Sequence, residues 1–120
     1  MHELSIAESL IAQVEHIVAD EGVTRVAALT LRIGALAGVD ADALRFAFEI
    51  ASRGTVLEDA ALQIRDVPAA IFCAVCGDTV ELPDIQHFRC TRCGTPSADV
   101  RQGRELMIDT LEVFDEAASP

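Results

Sequence analysis

The 120-residue sequence contains no lysine, tryptophan or tyrosine, and aromatic residues make up only 4% of it. All nine basic residues are arginines and face 20 acidic residues, so the formal net charge is -11. Binding to nucleic acid requires cationic side chains for the phosphates and usually aromatic rings for exposed bases. The composition therefore disfavours nucleic acid as a partner.

Long apolar runs are absent as well. Charged residues interrupt every apolar stretch well before the roughly 20 residues that span a bilayer. The start, MHELSIAESL, lacks the basic residues and apolar core of a secretory signal. We therefore expect a cytoplasmic protein with no membrane partner. In that reducing compartment, four cysteines favour metal binding or redox chemistry over disulfides.

Two helices are predicted from apolar residues that recur at three- and four-residue steps. The first runs from about residue 4 to 20 and stops at Gly22. The second begins after Asp40 or Asp42, either of which can cap it, and ends near Gly54. The positions that this second helix should bury are Leu44, Ala47, Phe48 and Ala51.

Three strands are predicted from a period of two. The first covers residues 25–33, and the second is marked by Leu62 and Ile64 and ended by Pro68. The third covers residues 105–114. The stretch between the last two strands holds all four cysteines and three of the four prolines, so it is interpreted as an insertion between strands of one sheet.

These elements predict an α+β fold in which two helices pack on a small mixed three-stranded sheet. A zinc-ribbon-like domain with four cysteines is inserted into it. The expected boundaries are residues 1–67 plus 104–116 for the α+β domain and 68–103 for the inserted domain.

The inserted segment contains two CxxCG motifs, which are Cys73, Cys76 and Gly77, then Cys90, Cys93 and Gly94. Two residues between cysteines allow both sulfurs to face one ion, and the following glycine can adopt the conformation of a tight knuckle. Four thiolates around one ion form the usual structural zinc site, with no position open for a substrate. The spacing therefore predicts a structural Zn(II) ion.

Three alternatives compete with zinc at these cysteines. Two disulfides conflict with a reducing compartment. A thioredoxin-like redox pair would open a helix, which the glycine after each second cysteine disfavours. Iron held by four thiolates, as in an electron carrier, has a similar spacing but usually an apolar surrounding, and Phe72 and Phe88 are the aromatic residues nearby.

Arginines are concentrated in and beside this segment, at Arg89, Arg92, Arg101 and Arg104. They are either solvated side chains or a docking face for an acidic partner. His87 is the one imidazole of the segment and is expected at the surface.

The sequence begins Met1-His2-Glu3. A terminal amine, the backbone nitrogen of His2 and its imidazole lie within one short stretch there. Nickel(II) and copper(II) favour square-planar sets of nitrogen ligands of this kind. The alternative is a solvated terminus with no metal role.

Five segments together resemble the HypA/HybF family of nickel metallochaperones for [NiFe]-hydrogenase maturation. They are MHELSIAESL, RIGALAGVD, LRFAFE, the two CxxCG motifs and GRELMIDTLEV, and they cover the chain in order. The resemblance implies an N-terminal nickel-binding domain of α+β type with an inserted zinc-binding domain.

Carried over by position, the resemblance makes His2 the essential nickel ligand, with the Met1 amine and nearby backbone completing much of the coordination. Glu3 is implied as a ligand or as a residue that tunes the site. Asp40 matches an acidic position linked to nickel in some members, although a helix N-cap explains it equally well. Cys73, Cys76, Cys90 and Cys93 are implied as zinc ligands.

Some family members place histidine beside the knuckles, where this chain has Gly77, Asp78 and Gly94. Zinc switching driven by histidine is therefore not expected here.

By resemblance, the protein carries Ni(II), with Zn(II) as a structural ion, and acts with the GTPase HypB on a [NiFe]-hydrogenase large-subunit precursor. No nucleophile arrangement or phosphate-binding loop supports an enzyme. The competing functions are a zinc-ribbon interaction adaptor without metal transfer and an electron carrier with iron at the four cysteines.

Overall fold

A computed structural model of the chain describes residues 2–114, which form two helices and six strands. In chain order the elements are α1 His2–Val18, β1 Val26–Gly34, α2 Ala41–Ala51, β2 Ala61–Val67, β3 Ala70–Cys73, β4 Asp78–Glu81, β5 Val100–Gln102 and β6 Leu106–Val113. Both predicted helices and all three predicted strands are present, and the inserted segment adds three short strands of its own.

The first helix begins earlier than its apolar pattern predicts. α1 starts at His2 and ends at Val18, and a 3-10 turn follows over Ala19–Glu21. Gly22 then adopts a left-handed conformation with φ 66, which ends the helix as expected. Because the helix starts at His2, the first two described side chains lie in its first turn.

The second helix is capped by Asp40 and not by Asp42. The Asp40 carboxylate accepts hydrogen bonds from the backbone N–H groups of Asp42 and Ala43, at 3.0 and 3.1 Å. α2 ends at Ala51, with Ser52 as its C-cap, slightly before the predicted stop. Three of its four predicted core residues are buried, while Ala51 is half-buried. α2 packs against α1, whose buried residues are Ala7, Leu10, Ile11, Val14 and Val18.

One three-stranded sheet has the order β2-β1-β6. At the end of β1, Ala35 N–H donates to the Val67 carbonyl at 2.9 Å, and Gly34 N–H donates to the Glu105 carbonyl at 2.7 Å. The end of β1 therefore lies beside the end of β2 and the start of β6. It follows that β1 runs parallel to β2 and antiparallel to β6, which makes the sheet mixed, as predicted.

The inserted segment forms a second three-stranded sheet in the order β4-β3-β5, and both pairings are antiparallel. Ile71 lies opposite Val80 and Val100 in this sheet. Its side chain is fully buried in a small apolar cluster with Ala69, Cys73, Val80, Leu82 and Cys90.

The chain divides into two compact units. The described residues of the first unit are 2–31, 39–64 and 108–114, and the second unit consists of Arg32–Gly38 and Arg65–Met107. Among residues 2–114, neither helix has the length and apolar character needed to cross a bilayer.

Replacement of Gly34 by alanine should strongly destabilise the second unit. A Cβ atom on Gly34 would collide with the backbone carbonyl of Gly103, and a backbone atom cannot rotate away. We expect a loss of unfolding free energy of about 3 kcal/mol, at the upper end of overpacking penalties.

Gly54→Ala is the matched control, because Gly54 has φ 77 and no atom within 4 Å of the added Cβ. Gly54→Ala should lower the free energy of unfolding by only about 1 kcal/mol, the penalty for a residue with a Cβ atom in the left-handed region. The free energies of both variants are measured by thermal and urea unfolding. A Gly34→Ala variant that costs no more than Gly54→Ala would contradict the predicted collision.

Candidate metal centres

The first cysteine motif forms the turn between β3 and β4. Cys73 pairs with Asp78 in the strand register, and the intervening residues make the knuckle. Gly77 N–H donates to the Cys73 carbonyl at 2.7 Å, with Gly77 in the left-handed region at φ 69. Cys76 N–H points back to Cys73 Sγ at 3.5 Å. Gly77 therefore closes the turn through its backbone, while the N–H group that faces the Cys73 sulfur belongs to Cys76.

The second motif forms an equivalent turn. A β-bridge between Arg89 and Pro96 closes it, and Gly94 N–H donates to the Cys90 carbonyl at 2.8 Å with φ 76 at the glycine. Arg92 N–H faces Cys90 Sγ at 3.4 Å. Each CxxCG motif therefore folds as the spacing predicts, with its glycine in a conformation that other residues rarely adopt.

The two knuckles bring the four sulfur atoms together, all within 4.8 Å of one another. Cys73 Sγ lies 3.6 Å from Cys93 Sγ, and Cys76 Sγ lies 3.9 Å from Cys90 Sγ. A tetrahedral zinc ion with Zn–S bonds of about 2.3 Å requires sulfur separations of about 3.8 Å. The donor set and its spacing therefore fit Zn(II).

Burial differs within each knuckle. The first cysteine of each motif is buried, Cys73 at 0% and Cys90 at 3% exposure, and both belong to the apolar cluster around Ile71. The second cysteine of each motif, Cys76 or Cys93, is exposed. One side of the sulfur cluster is thus anchored in the core and the other side faces solvent.

The thiols of the four cysteines differ in pKa. The protonated Cys76 thiol donates hydrogen bonds toward Cys93, Cys90 and Cys73, and these bonds raise its pKa to about 12. The Thr95 hydroxyl, followed by the Thr95 backbone N–H, lowers the pKa of Cys93 to about 6. Four thiolates this close repel one another, so the protein alone keeps a proton among them. A divalent cation replaces that proton, which explains why such sites require a metal to be fully ionised.

Thr95 was not identified from the sequence as part of the site. The Cys93 thiol donates to Thr95 Oγ1 at 3.1 Å. When Cys93 is ionised, the same contact lets the Thr95 hydroxyl donate to the thiolate, which lowers the pKa of Cys93. A hydroxyl residue two positions after the last cysteine, directly after the knuckle glycine, is the signal that would have identified it.

The N-terminal candidates lie in the first turn of α1. The His2 Nε2 atom is 3.0 Å from Glu3 Oε2, and the His2 side chain is 61% exposed. The same Glu3 oxygen accepts a hydrogen bond of 3.4 Å from the backbone N–H of Asp40. Glu3 therefore links His2 to the start of α2, and Met1 lies outside the described residues.

The Glu3 carboxyl group is held as an anion. Desolvation raises its pKa, but the Asp40 and Glu3 backbone N–H groups and the positive charge of His2 outweigh that effect, so the pKa is lowered overall. Its position in the first helical turn is also favourable, because the positive end of the helix dipole lies there.

Among the described residues, the four cysteines are the group of three or more His, Cys, Asp or Glu side chains that converge closely enough to hold a metal. His2, Glu3 and Asp40 lie near one another without forming such a group. The Asp40 side chain caps α2 through its Oδ1 atom.

Two of the four clustered arginines bind local carboxylates. Arg92 lies 3.0 Å from Asp78, and Arg101 lies 2.8 Å from Asp99 and stacks over the Phe72 ring at 4.5 Å. Local pairing therefore accounts for half of this positive cluster, which favours solvated ion pairs over a docking face there. Separately, His87 is exposed, as expected, and lies 3.6 Å from Asp84.

The fold and the sulfur cluster together define a small α+β metal-binding protein with a zinc-ribbon-like centre of four cysteines. Residues 1–113 match the family model described as "Hydrogenase/urease nickel incorporation, metallochaperone, hypA". The chain belongs to the HypA family, as its sequence motifs suggested.

The chain is similar to curated hydrogenase maturation factors named HypA. It is 46% identical to that of Roseiflexus sp. (strain RS-1), over 97% of this chain and 94% of the relative. It is 49% identical to that of Chloroflexus aurantiacus (strain ATCC 29366 / DSM 635 / J-10-fl), over 93% of this chain and 98% of the relative. The solution structure of the Ni metallochaperone HypA from Helicobacter pylori superimposes with a TM-score of 0.67 at 25% identity, covering 95% of this chain and 98% of that one.

The cap at Asp40 can be separated from any role of its charge. Asp40→Ala should reduce the unfolding free energy by about 1 kcal/mol, because it removes the acceptor for two N–H groups at the start of α2. Asp40→Asn keeps a capping oxygen and should cost less than half as much. Equal losses in the two variants, measured by urea unfolding, would show that the cap is not the stabilising feature.

Proposed function

We propose that this chain is a nickel carrier that binds Ni(II) through its N-terminal Met1-His2-Glu3 and delivers it for [NiFe]-hydrogenase maturation. The observation that carries the proposal is the arrangement of Glu3, whose carboxylate contacts both the His2 imidazole and the Asp40 backbone N–H. Membership of a family described by nickel incorporation supports the metal.

The ligand chemistry favours nickel at this place. The Met1 amine, the His2 backbone nitrogen and the His2 Nδ1 atom can form consecutive chelate rings, which suits the nitrogen preference of Ni(II). The contact between His2 Nε2 and Glu3 would then orient the ring, as carboxylates commonly do for metal-bound histidines. In this arrangement Glu3 tunes the site, and Asp40 acts through the backbone that holds Glu3.

The exposure of the His2 side chain suits the delivery of a bound nickel ion. A ligand set at the start of a helix, on a side chain that is 61% exposed, can pass its ion to a better-enclosed site by ligand exchange. The process needs no catalytic group, and we propose a carrier and not an enzyme.

His2→Ala should abolish tight nickel binding and lower the affinity for Ni(II) by more than about a hundredfold, since it removes a ligand. The measurement is calorimetric titration of the untagged protein at pH 7.5 with its zinc content known. His16→Ala is the matched control, because His16 is an exposed histidine on the same helix.

A one-residue extension before Met1 should weaken nickel binding as strongly as His2→Ala, because it displaces the amine from the chelate. Nickel binding that survives both changes would place the site elsewhere in the chain.

The proposed partners follow from the family. A hydrogenase maturation factor meets other components of that process, and we propose the GTPase HypB and the [NiFe]-hydrogenase large-subunit precursor among them. The family description also includes urease. Transfer of radioactive nickel to each purified precursor, compared side by side, identifies the client.

Four clustered free thiols also fit action in a reducing compartment such as the cytoplasm.

For the cysteine cluster we propose a structural Zn(II) that holds residues 68–103 as a separate folding module from residues 1–67 plus 104–116. The apolar cluster around Ile71 is small, and metal binding normally supplies most of the folding free energy of such modules. Metal analysis tests this against the alternatives, since an iron electron carrier would contain iron, and an adaptor would contain zinc but bind no nickel.

Removal of zinc should unfold residues of about 70 to 100 and leave the helices largely protected. Hydrogen exchange by mass spectrometry, with and without a chelator, measures both regions in one experiment. Exchange protection lost equally in α1 and α2 would contradict the two-module organisation.

A further inference from the structure

The two exposed sulfur atoms of the cysteine cluster differ in their surroundings. Cys76 and Cys93 hold equivalent positions, since each is the second cysteine of a CxxCG motif and each is solvent-exposed. A reagent that enters from solvent meets these two sulfurs first, because Cys73 and Cys90 are buried.

Hydrogen bonding separates the two exposed sulfurs. The Thr95 hydroxyl lies 3.1 Å from Cys93 Sγ. The buried sulfurs also have N–H groups facing them, Cys76 N–H at Cys73 and Arg92 N–H at Cys90. Within the described part of the chain, the hydrogen bonds of Cys76 Sγ are formed with other cysteine sulfurs. Once the four thiols are ionised around a metal, no sulfur has a proton left to donate. Among residues 2–114, no other group then donates a hydrogen bond to Cys76 Sγ.

A hydrogen bond to a metal-bound thiolate draws electron density away from sulfur and reduces its nucleophilicity. The thiolate without such a bond keeps more charge and reacts faster with electrophiles. The Arg92 guanidinium interacts through space with both Cys76 and Cys90, but it donates its hydrogen bond to the Asp78 carboxylate at 3.0 Å and not to a sulfur atom. That carboxylate offsets much of the guanidinium charge, so Arg92 does not replace a direct hydrogen bond to Cys76.

We infer that Cys76 is the reactive ligand of the metal-loaded centre, the sulfur through which electrophiles and disulfides attack it and at which metal release begins. With a small disulfide, the Cys76 thiolate would form a new S–S bond to one sulfur of the reagent. The S–S bond of the reagent breaks and its other sulfur leaves as a thiolate. The Cys76 sulfur is oxidised, the leaving sulfur is reduced, and the metal loses one of four ligands.

This inference rests on the proposed metal at the cysteine cluster, so the metal content is measured before the reaction. Zinc-loaded protein is treated with iodoacetamide, a neutral reagent, at about one-fifth of an equivalent, so that most modified molecules carry one label. The reaction is quenched, the protein is digested, and singly labelled peptides are quantified by mass spectrometry. We expect the label on Cys76 to exceed that on Cys93 at least about fivefold, the ratio that one net hydrogen bond supports.

Thr95→Val is the diagnostic variant, because it removes the hydroxyl near Cys93 and keeps the shape of the side chain. It should lower the ratio of Cys76 to Cys93 labelling by at least about threefold, and Thr95→Ser should restore the ratio. Thr79→Val is the matched control for a threonine lost near the knuckles, and the ratio should not change.

Several results would overturn the inference. Equal labelling of Cys76 and Cys93 in the zinc-loaded protein would do so, and so would preferential labelling of Cys93 or of a buried cysteine. A Thr95→Val variant that binds zinc but keeps the original ratio would refute the role of the hydroxyl. Purified protein without a stoichiometric metal would instead contradict the structural zinc proposed above.

Discussion

The repulsion among four clustered thiolates is the constraint on which the inserted segment depends. Two knuckles place the sulfurs within 4.8 Å of one another, a separation at which full ionisation requires a cation. The backbone turns, the left-handed glycines and the strand pairing all serve this convergence. The surrounding apolar cluster is small, with Ile71 at its centre. A chain of this size therefore uses a metal–sulfur centre where a larger domain would use a more extensive core.

In the N-terminal unit, a few contacts connect the start of α1 to the start of α2. A helix that begins at His2 brings its first turn to the start of α2, and one carboxylate oxygen of Glu3 contacts both places. The Asp40 cap fixes the start of α2 from within. The orientation of the His2 imidazole is thus coupled to the position of a helix nearly forty residues away in sequence. Rigid helices on one side and an exposed ring on the other suit the carrier site proposed for this terminus, where an ion would be received and released.

Local patterns in the sequence predicted most of the elements. The apolar steps of α1 and α2, the alternation in β1 and the CxxCG spacing are short-range features, and each element is present with its ends within a few residues of those expected. Three features depend on long-range contacts that no local pattern encodes. They are the parallel pairing of β1 with β2, the contact of Glu3 with the Asp40 backbone and the approach of Gly34 to the Gly103 carbonyl. The Thr95 hydroxyl was missed although its place directly after the knuckle glycine is a local signal, because that signal has meaning only once the turn is known to bring the hydroxyl to sulfur.

The alternation of buried and exposed sulfurs affects how a bound metal would be exchanged. Cys73 and Cys90 come from different knuckles and share one apolar cluster, so they form an internal clamp of two sulfurs. With the proposed Zn(II) bound, an incoming ligand would replace the outer sulfurs while the clamp still held the ion. Exchange by this route would be associative, and its rate would rise in proportion to the concentration of the incoming chelator. A centre enclosed on all four sides would exchange only as fast as the protein opens.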